Sequence, residues 1–167
     1  MKQLITTAIK LCLLRLGPQD LPASQSLLLV SLVLNFIIGM LMIVGLQADL
    51  GRAFLETLFQ IFLMLGTLYL ALKISKRLSR FYQSASALML SGLLLGLMAL
   101  PLVLWNQRSQ STESGLLILV LLFWSIVVLG HILRHTFEMP FNIGIAAAMI
   151  YTLLSWNLTA LVFPVTL

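Results

Sequence analysis

Three residues in the C-terminal third of the chain have types and spacing that could bind a metal ion. His131 and His135 stand four residues apart, so a helix would place both imidazoles on one face, and Glu138 follows three residues later. Imidazole nitrogens and carboxylate oxygens are zinc ligands. The His-Glu-x-x-His sequence of zinc proteases is absent, because Ile132 follows His131. Histidine side chains are also stable without a bound metal ion in a solvated turn at a membrane boundary, and we favour that interpretation over a metal site.

Polar residues inside apolar stretches are the second candidate group. Glu56 stands four residues after Arg52, a spacing that favours an ion pair on one helix face. The alternative is a proton or cation site formed by Glu56 and Gln60. Asn35 and Asn157 are uncharged and could form hydrogen bonds between helices. Asn35, Glu56, Gln60 and Asn157 are therefore the residues that could line a polar path.

The sequence has no pattern typical of a catalytic centre. It contains no glycine-rich phosphate loop and no Gly-x-Ser-x-Gly motif, and its two aspartates, Asp20 and Asp49, are predicted on opposite sides of a membrane. The single cysteine, Cys12, excludes an internal disulfide and any site built from several cysteines. We therefore expect a protein that is not an enzyme and that carries no cofactor.

The elements that must position these residues are predicted to be transmembrane helices. Sixty per cent of the 167 residues are hydrophobic, nine per cent are charged, and the mean hydropathy is +1.08. A soluble domain carries about a quarter charged residues. Each apolar run is long enough to cross a bilayer as a helix. The sequence predicts an all-α bundle over residues 25–167 with five spans, at approximately 27–46, 53–72, 84–105, 115–133 and 141–163.

Residues 1–24 are predicted to lie outside the spans. Polar residues recur at three- and four-residue intervals between Met1 and Leu16, which indicates an amphipathic helix in the membrane plane. Its positive charges would face anionic lipid headgroups. Two prolines and a glycine between Gly17 and Pro22 should break this helix, and Ser24 is a plausible N-cap for the first span.

The distribution of positive charge predicts the orientation. Counted alternately across the five predicted spans, eight Lys and Arg residues fall on one side and two on the other. Positive residues are enriched on the cytoplasmic side of membrane proteins. We therefore expect the N-terminus in the cytoplasm and the C-terminus outside, in a bacterial inner membrane given the short loops. The net charge of +5 reflects this asymmetry, and we expect no nucleic-acid partner.

Small residues indicate where helices approach closely. The third predicted span contains two pairs of small residues at four-residue spacing, and the fifth begins with a similar patch. These residues are Ala87, Ser91, Gly92 and Gly96, followed by Gly144 and Ala148. They could pack helices within one bundle or form the surface for a second membrane subunit. Pro101, near the end of the third span, is predicted to bend that helix.

Two sequence elements resemble the Yip1 family of five-span membrane proteins. Gly96-Leu97-Met98-Ala99-Leu100-Pro101 is similar to the family's Gly-Tyr-x-x-Leu-Pro element, with Leu97 where the family has tyrosine. Phe123-Trp124-Ser125 and the residues that follow, as far as Arg134, resemble the family's Trp-Ser segment and its basic turn. The resemblance covers about residues 25–163 and implies a membrane-organising or adaptor protein without catalytic activity.

The leading functional hypothesis is a non-enzymatic adaptor, scaffold or small subunit of a membrane complex. Its partners would be membrane lipid and either other integral subunits or further copies of itself. The alternative is a small transporter or channel subunit for a solute or lipid, with the polar residues named above as its lining.

Overall fold

All the regular secondary structure of the described residues is helical. The computed structural model describes residues 2–45 and 49–164 of the chain, with side chains from Thr6 onward. The six α-helices are α1, Lys2–Cys12; α2, Gln25–Gly45; α3, Leu50–Ile74; α4, Phe81–Ser109; α5, Thr112–Phe137; and α6, Phe141–Val162. Short 3-10 turns, Pro18–Asp20 and Leu78–Arg80, precede α2 and α4.

Five helices, α2 to α6, are long and apolar enough to cross a membrane. This is the architecture of a multi-pass membrane protein, and it confirms the predicted all-α fold with five spans. The predicted end of the first span, Leu46, lies outside the described residues.

The turns alternate between two ends of the bundle. The Arg52 end holds the α2–α3 and α4–α5 turns and the end of α6, while the Arg80 end holds residues 13–24 and the α3–α4 and α5–α6 turns.

Two predicted loops are shorter than the hydropathy pattern indicated. The loop predicted from Asn106 to Ser114 is wrong, because α4 continues to Ser109 and α5 begins at Thr112. Gln110 ends α4 in the left-handed conformation, and Ser111 caps α5 by accepting a hydrogen bond from Ser114 N at 3.3 Å. Such caps let polar residues extend a helix beyond its apolar run.

The turn predicted to contain Arg134, His135, Glu138 and Pro140 is present between α5 and α6, but it is shorter than predicted. Arg134 and His135 lie in the last turn of α5, and the helix ends only at Glu138, whose φ is 55°. The Glu138 amide donates to the Arg134 carbonyl as the helix closes. The predicted span ended before the helix does, because the basic residues in the last turn of α5 lower the hydropathy there.

Helix α1 is shorter than predicted and packs on the bundle. It ends at Cys12, and Leu14 adopts the left-handed conformation with φ of 60°. Ala8, Leu11 and Cys12 are buried, and Cys12 Sγ lies 4.0 Å from the carbonyl oxygen of Ser91. The Ser91 carbonyl lies about 15 Å from the start of α4, at a rise of 1.5 Å per residue. The apolar side of α1 therefore contacts protein, and its position in the membrane plane stays a prediction.

Helix α4 is the centre of the bundle. It packs against α2, α5 and α1, whereas α6 packs mainly on α5, and α3 mainly on α2. Residues 84–91 of α4 are all buried, so the core lies along this stretch. The contacts of α3 with α4 and α6 are sparse by comparison. A gap therefore remains between α3 and the α5–α6 pair.

Candidate functional site

The gap beside α3 is a cavity of about 660 Å³. It begins at the Arg52 end beside Arg52 and Phe163, and it extends to Leu88, Leu129 and Tyr151 near the middle of the bundle. Apolar side chains from α3, α4, α5 and α6 form much of the wall. The polar residues of the lining are Arg52, Glu56, Gln60, Ser91, Ser125, Tyr151, Thr152, Ser155 and Thr159.

Contacts at the mouth connect α3 to the end of α6. Arg52 Nη2 donates to the carbonyl oxygen of Phe163 at 2.8 Å. The Phe163 ring also meets the ring of Phe59 edge-on, with centroids 5.8 Å apart. Arg52 and Phe163 therefore bridge the cavity where it opens, and a change in either would alter access to it.

An ion pair lies just inside this mouth. Arg52 Nε is 3.5 Å from Glu56 Oε2, and the Glu56 side chain is 17% exposed. Gln60 follows one turn further along α3 and also lines the cavity. Because the charges of Arg52 and Glu56 compensate each other, the entrance is polar but carries no net charge.

Three of the lining hydroxyl groups donate their protons to carbonyls of their own helices. Ser91 donates to the Leu88 carbonyl at 3.1 Å, and Ser125 donates to Leu122 at 2.7 Å. Thr152 donates to the Ala148 carbonyl at 2.8 Å. A hydroxyl that donates to its own helix can still accept through its oxygen. These three hydroxyls therefore present only acceptors to anything that enters, whereas Arg52 and Gln60 on α3 also carry N–H donors.

The four predicted lining residues fall in three different places. Glu56 and Gln60 meet at the cavity, as described. Asn35 lies between α2 and α4, where its Nδ2 donates to the Met89 carbonyl at 2.9 Å. Asn157 is exposed on α6, and its Nδ2 donates to Leu153 of the same helix at 2.7 Å. The structure thus brings only two of the four together.

The small residues of α4 lie within the bundle. Ala87 is fully buried, and Ser91 is nearly so. A Cβ added at Gly92 would lie 2.7 Å from Asn35 Nδ2, and one added at Gly96 would lie 2.7 Å from Ile38 Cγ2. These glycines therefore let α2 approach α4 closely. Pro101 is exposed further along α4, away from this contact.

The patch at the start of α6 packs on α5. A Cβ added at Gly144 would lie 2.5 Å from the carbonyl oxygen of Gly130, and one added at Gly130 would lie 2.9 Å from Ile145 Cα. Ala148, one turn later, is fully buried. The two backbones are in direct contact here.

The histidine pair and Glu138 face different partners. His131 and His135 are in ring contact, with centroids 4.6 Å apart, and His131 Nε2 donates to the Leu16 carbonyl at 2.9 Å. Glu138 instead pairs with Arg80 and with Arg77, the latter at 2.8 Å. These arginines hold the pKa of Glu138 below its usual value. Across residues 2–45 and 49–164, no cluster of three metal-ligating side chains occurs.

The lining residues of α5 and α6 were missed by sequence reasoning. Tyr151, Ser155 and Thr159 recur every four residues on one face of α6, which is a polar stripe inside an apolar span. That spacing was a usable signal. Ser125 had no such pattern, because a lone serine is common in transmembrane helices.

No protein-family model, curated protein or solved structure matches the chain. The cavity and its lining are therefore the structural basis for a functional proposal. The Yip1 resemblance rests on the sequence elements quoted above.

Proposed function

We propose that this chain is a non-enzymatic membrane protein that binds a small amphiphile or lipid in the cavity, as a small transporter or channel subunit does. The observation that carries the proposal is the cavity itself, which at about 660 Å³ falls within the 300–1,000 Å³ typical of ligand sites. Its walls are mostly apolar, and its polar groups converge from α3, α4, α5 and α6. That combination suits a molecule with an apolar body and a polar head.

The lining also favours a particular kind of head group. Ser91, Ser125 and Thr152 can only accept further hydrogen bonds, since their protons go to carbonyls of their own helices. Glu56 adds a carboxylate at the entrance. An amphiphile whose head donates hydrogen bonds, such as an amine or a polyol, therefore finds acceptors on all four helices of the lining.

The side from which the ligand enters follows from the proposed orientation. We place the protein in a bacterial inner membrane with its N-terminus in the cytoplasm, because eight of the ten Lys and Arg residues fall on one side of the spans. The Arg52 end would then face outward. A ligand would reach the cavity from the outer leaflet or from the space outside.

A photoreactive single-chain amphiphile with an amine head tests this proposal in native-like membranes. We expect cross-links on the cavity-lining segments of α3, α5 and α6, and competition by excess unlabelled amphiphile. Ser155→Phe should fill part of the cavity and lower labelling several-fold. Ala146→Phe is the matched control, because Ala146 is exposed on the same helix away from the cavity. Equal labelling of the two variants would reject the proposal.

The adaptor or scaffold hypothesis is a second candidate, and the position of α2 favours it, because α2 is the least buried of the five described spans. The outward face of α2 carries a series of exposed apolar side chains, of which Leu29 is 65% exposed. The series is Leu29, Val30, Val33, Leu34, Ile37 and Leu41. It would pack against another membrane subunit or a second copy of the chain, as the Yip1 resemblance implies. Co-purification of a stoichiometric partner, lost on Leu34→Ala/Ile37→Ala, supports this function, and a monomer with lipid alone contradicts it.

A further inference from the structure

A second cleft lies at the Arg80 end of the bundle and shares no lining residue with the cavity. It has a volume of about 500 Å³ and lies between residues 14–20 and the end of α5. Its charged and polar lining comes from Arg15, Gln19, Asp20, His131, Arg134 and His135. The Phe141 ring at the start of α6 closes one side.

Hydrogen bonds hold the wall of this cleft in place. The Leu16 carbonyl accepts from His131 Nε2 at 2.9 Å, and the Leu21 carbonyl accepts from Gln83 Nε2 at 3.1 Å. Asp20 Oδ2 accepts from the Gly17 amide at 2.8 Å, which fixes the turn between them. Leu21 is also almost completely buried. The segment is therefore bound to α4 and α5, which fixes this wall of the cleft.

Two guanidinium groups in this cleft lack a counter-ion. Within the part of the chain that the structure describes, neither Arg15 nor Arg134 forms an ion pair. Arg134 lies over the Phe141 ring, with its Cζ 5.6 Å from the centroid. The carboxylate of Asp20 lines the same cleft and contributes one negative charge against the two positive charges of Arg15 and Arg134. The cleft therefore carries net positive charge.

The neighbouring cleft provides an internal contrast. It has a volume of about 370 Å³ and contains Arg80, which pairs with Glu138. There the protein itself supplies the anion for the arginine. In the larger cleft, no described side chain does the same for Arg15 or Arg134.

We propose that the larger cleft binds a phosphate group. An arginine guanidinium can donate two parallel hydrogen bonds to phosphate oxygens, and two arginines on one cleft make a strong phosphate site. The phosphate has two sources with the same chemistry: the headgroup of an anionic lipid, or a soluble phosphate compound. This site is independent of the ligand proposed for the cavity between α3, α5 and α6.

Native mass spectrometry of the purified full chain tests the site. The probes are phosphatidylglycerol and, as the zwitterionic comparison, phosphatidylcholine; inorganic phosphate and glycerol 3-phosphate are the soluble competitors. Arg15→Gln/Arg134→Gln should weaken phosphatidylglycerol binding roughly tenfold or more, as expected for losing charge-assisted hydrogen bonds. Lys73→Gln/Lys76→Gln removes two exposed charges at the same end without touching the cleft, so it should change binding less than about twofold.

The outcomes separate the sources and can overturn the proposal. Selective binding of phosphatidylglycerol without competition by the soluble probes supports a lipid headgroup, and competition supports a soluble phosphate compound. Equal losses in the two double variants, or no Arg15- and Arg134-dependent binding of phosphatidylglycerol, inorganic phosphate or glycerol 3-phosphate, overturn the site. If the double variant does not fold, Arg15→Gln alone serves, because Arg15 is exposed. Ser155→Phe should leave this binding unchanged, which distinguishes the cleft from the cavity.

Discussion

The α2–α4 contact and the α3–α6 gap show opposite ways in which helices of this bundle meet. At the first, Gly92 and Gly96 face Asn35 and Ile38 so closely that an added Cβ would lie 2.7 Å from a side-chain atom. At the second, Arg52 and Phe59 contact Phe163 at the Arg52 end of the bundle. Further along the helices, a cavity of about 660 Å³ separates α3 from α6.

The difference lies in residue size rather than hydrophobicity. In a bilayer, burying an apolar side chain gains little, because lipid tails are as apolar as leucine. Helices therefore associate where small residues allow many van der Waals contacts and where polar groups can bond across the contact. Helix α3 presents no such small residue toward α6 among the described residues that line the cavity. Its distance from α6 leaves space for a ligand.

The largest expected effect is at the α5–α6 contact, which is the tightest of the glycine contacts between described helices. In Gly144→Val, the new Cβ would meet the Gly130 carbonyl at 2.5 Å, and backbone cannot move aside as a side chain can. We expect a loss of about 1–3 kcal/mol or more, as for an overpacked core, and a lower thermal unfolding midpoint in detergent. Gly66→Val is the control, since among the described residues nothing lies within 4 Å of a Cβ there. Equal destabilisation by both variants would contradict the close-contact account.

The two membrane asparagines give the next comparison. Asn35→Leu removes the hydrogen bond that crosses from α2 to Met89, and such bonds between membrane helices average about 0.6 kcal/mol and reach about 1.7. Asn157→Leu removes only a bond within α6, so it should be neutral or slightly stabilising. Chemical unfolding of the two variants measures the difference. A larger loss for Asn157→Leu would reverse the assignment of the two residues.

The mouth of the cavity should respond in ligand kinetics more than in stability. Arg52→Gln removes the bond to the Phe163 carbonyl and the partly exposed pair with Glu56. Exposed pairs contribute about 0.2–1 kcal/mol, so the unfolding midpoint should move little. Release of a bound amphiphile should be several-fold faster, because the bridge between α3 and α6 is lost. Arg108→Gln, on the exposed end of α4, should leave both quantities unchanged; faster release there would point to general charge effects.

The smallest effect concerns pH. The α2–α4 contact around Asn35 and Gly92 contains no titratable group, so its stability should not depend on pH. Glu138 joins the ends of α4 and α5 through Arg77 and Arg80, which lower its pKa in the folded protein. A lowered folded pKa adds stability that is fully present above the ordinary value of 4.5 and lost as the pH falls through the folded value.

Thermal unfolding between pH 6 and pH 3 should therefore show a decline at acid pH that Glu138→Gln reduces. Glu113→Gln is the control, because Glu113 is exposed at the first turn of α5 and forms none of the ion pairs described above. The same change in the pH profile for both variants would show that the ion pairs of Glu138 are not the source of the stability lost at acid pH.

Much of the fold could be predicted because the solvent dictates it. Runs of apolar residues as long as a bilayer is thick leave helices as the available structure, so all five spans were predicted. Gly92 and Gly96 were also recognisable from their four-residue spacing. Gly130 was not, because its contact with Gly144 crosses between helices and leaves no repeat in either. The docking of α1 on α4 was missed because an amphipathic pattern is the same whether the apolar side meets lipid or protein.

The cavity could be predicted only in part for the same reason. Glu56 and Gln60 were found because polar groups are conspicuous in an apolar run. Asn35 and Asn157 were equally conspicuous, yet they face other directions, since the rotation of each helix is set by contacts with its neighbours. A sequence pattern shows which residues share one face of a helix, but it does not show which helix packs against that face.

The most direct test of the central claim is native mass spectrometry of the protein extracted gently from its own membranes. The wild type and Ala146→Phe should retain a stoichiometric small amphiphile or lipid that survives delipidation, and Ser155→Phe should lose it. A bare protein in every case, or the same adduct on Ser155→Phe as on the wild type, would contradict a ligand in the cavity between α3, α5 and α6.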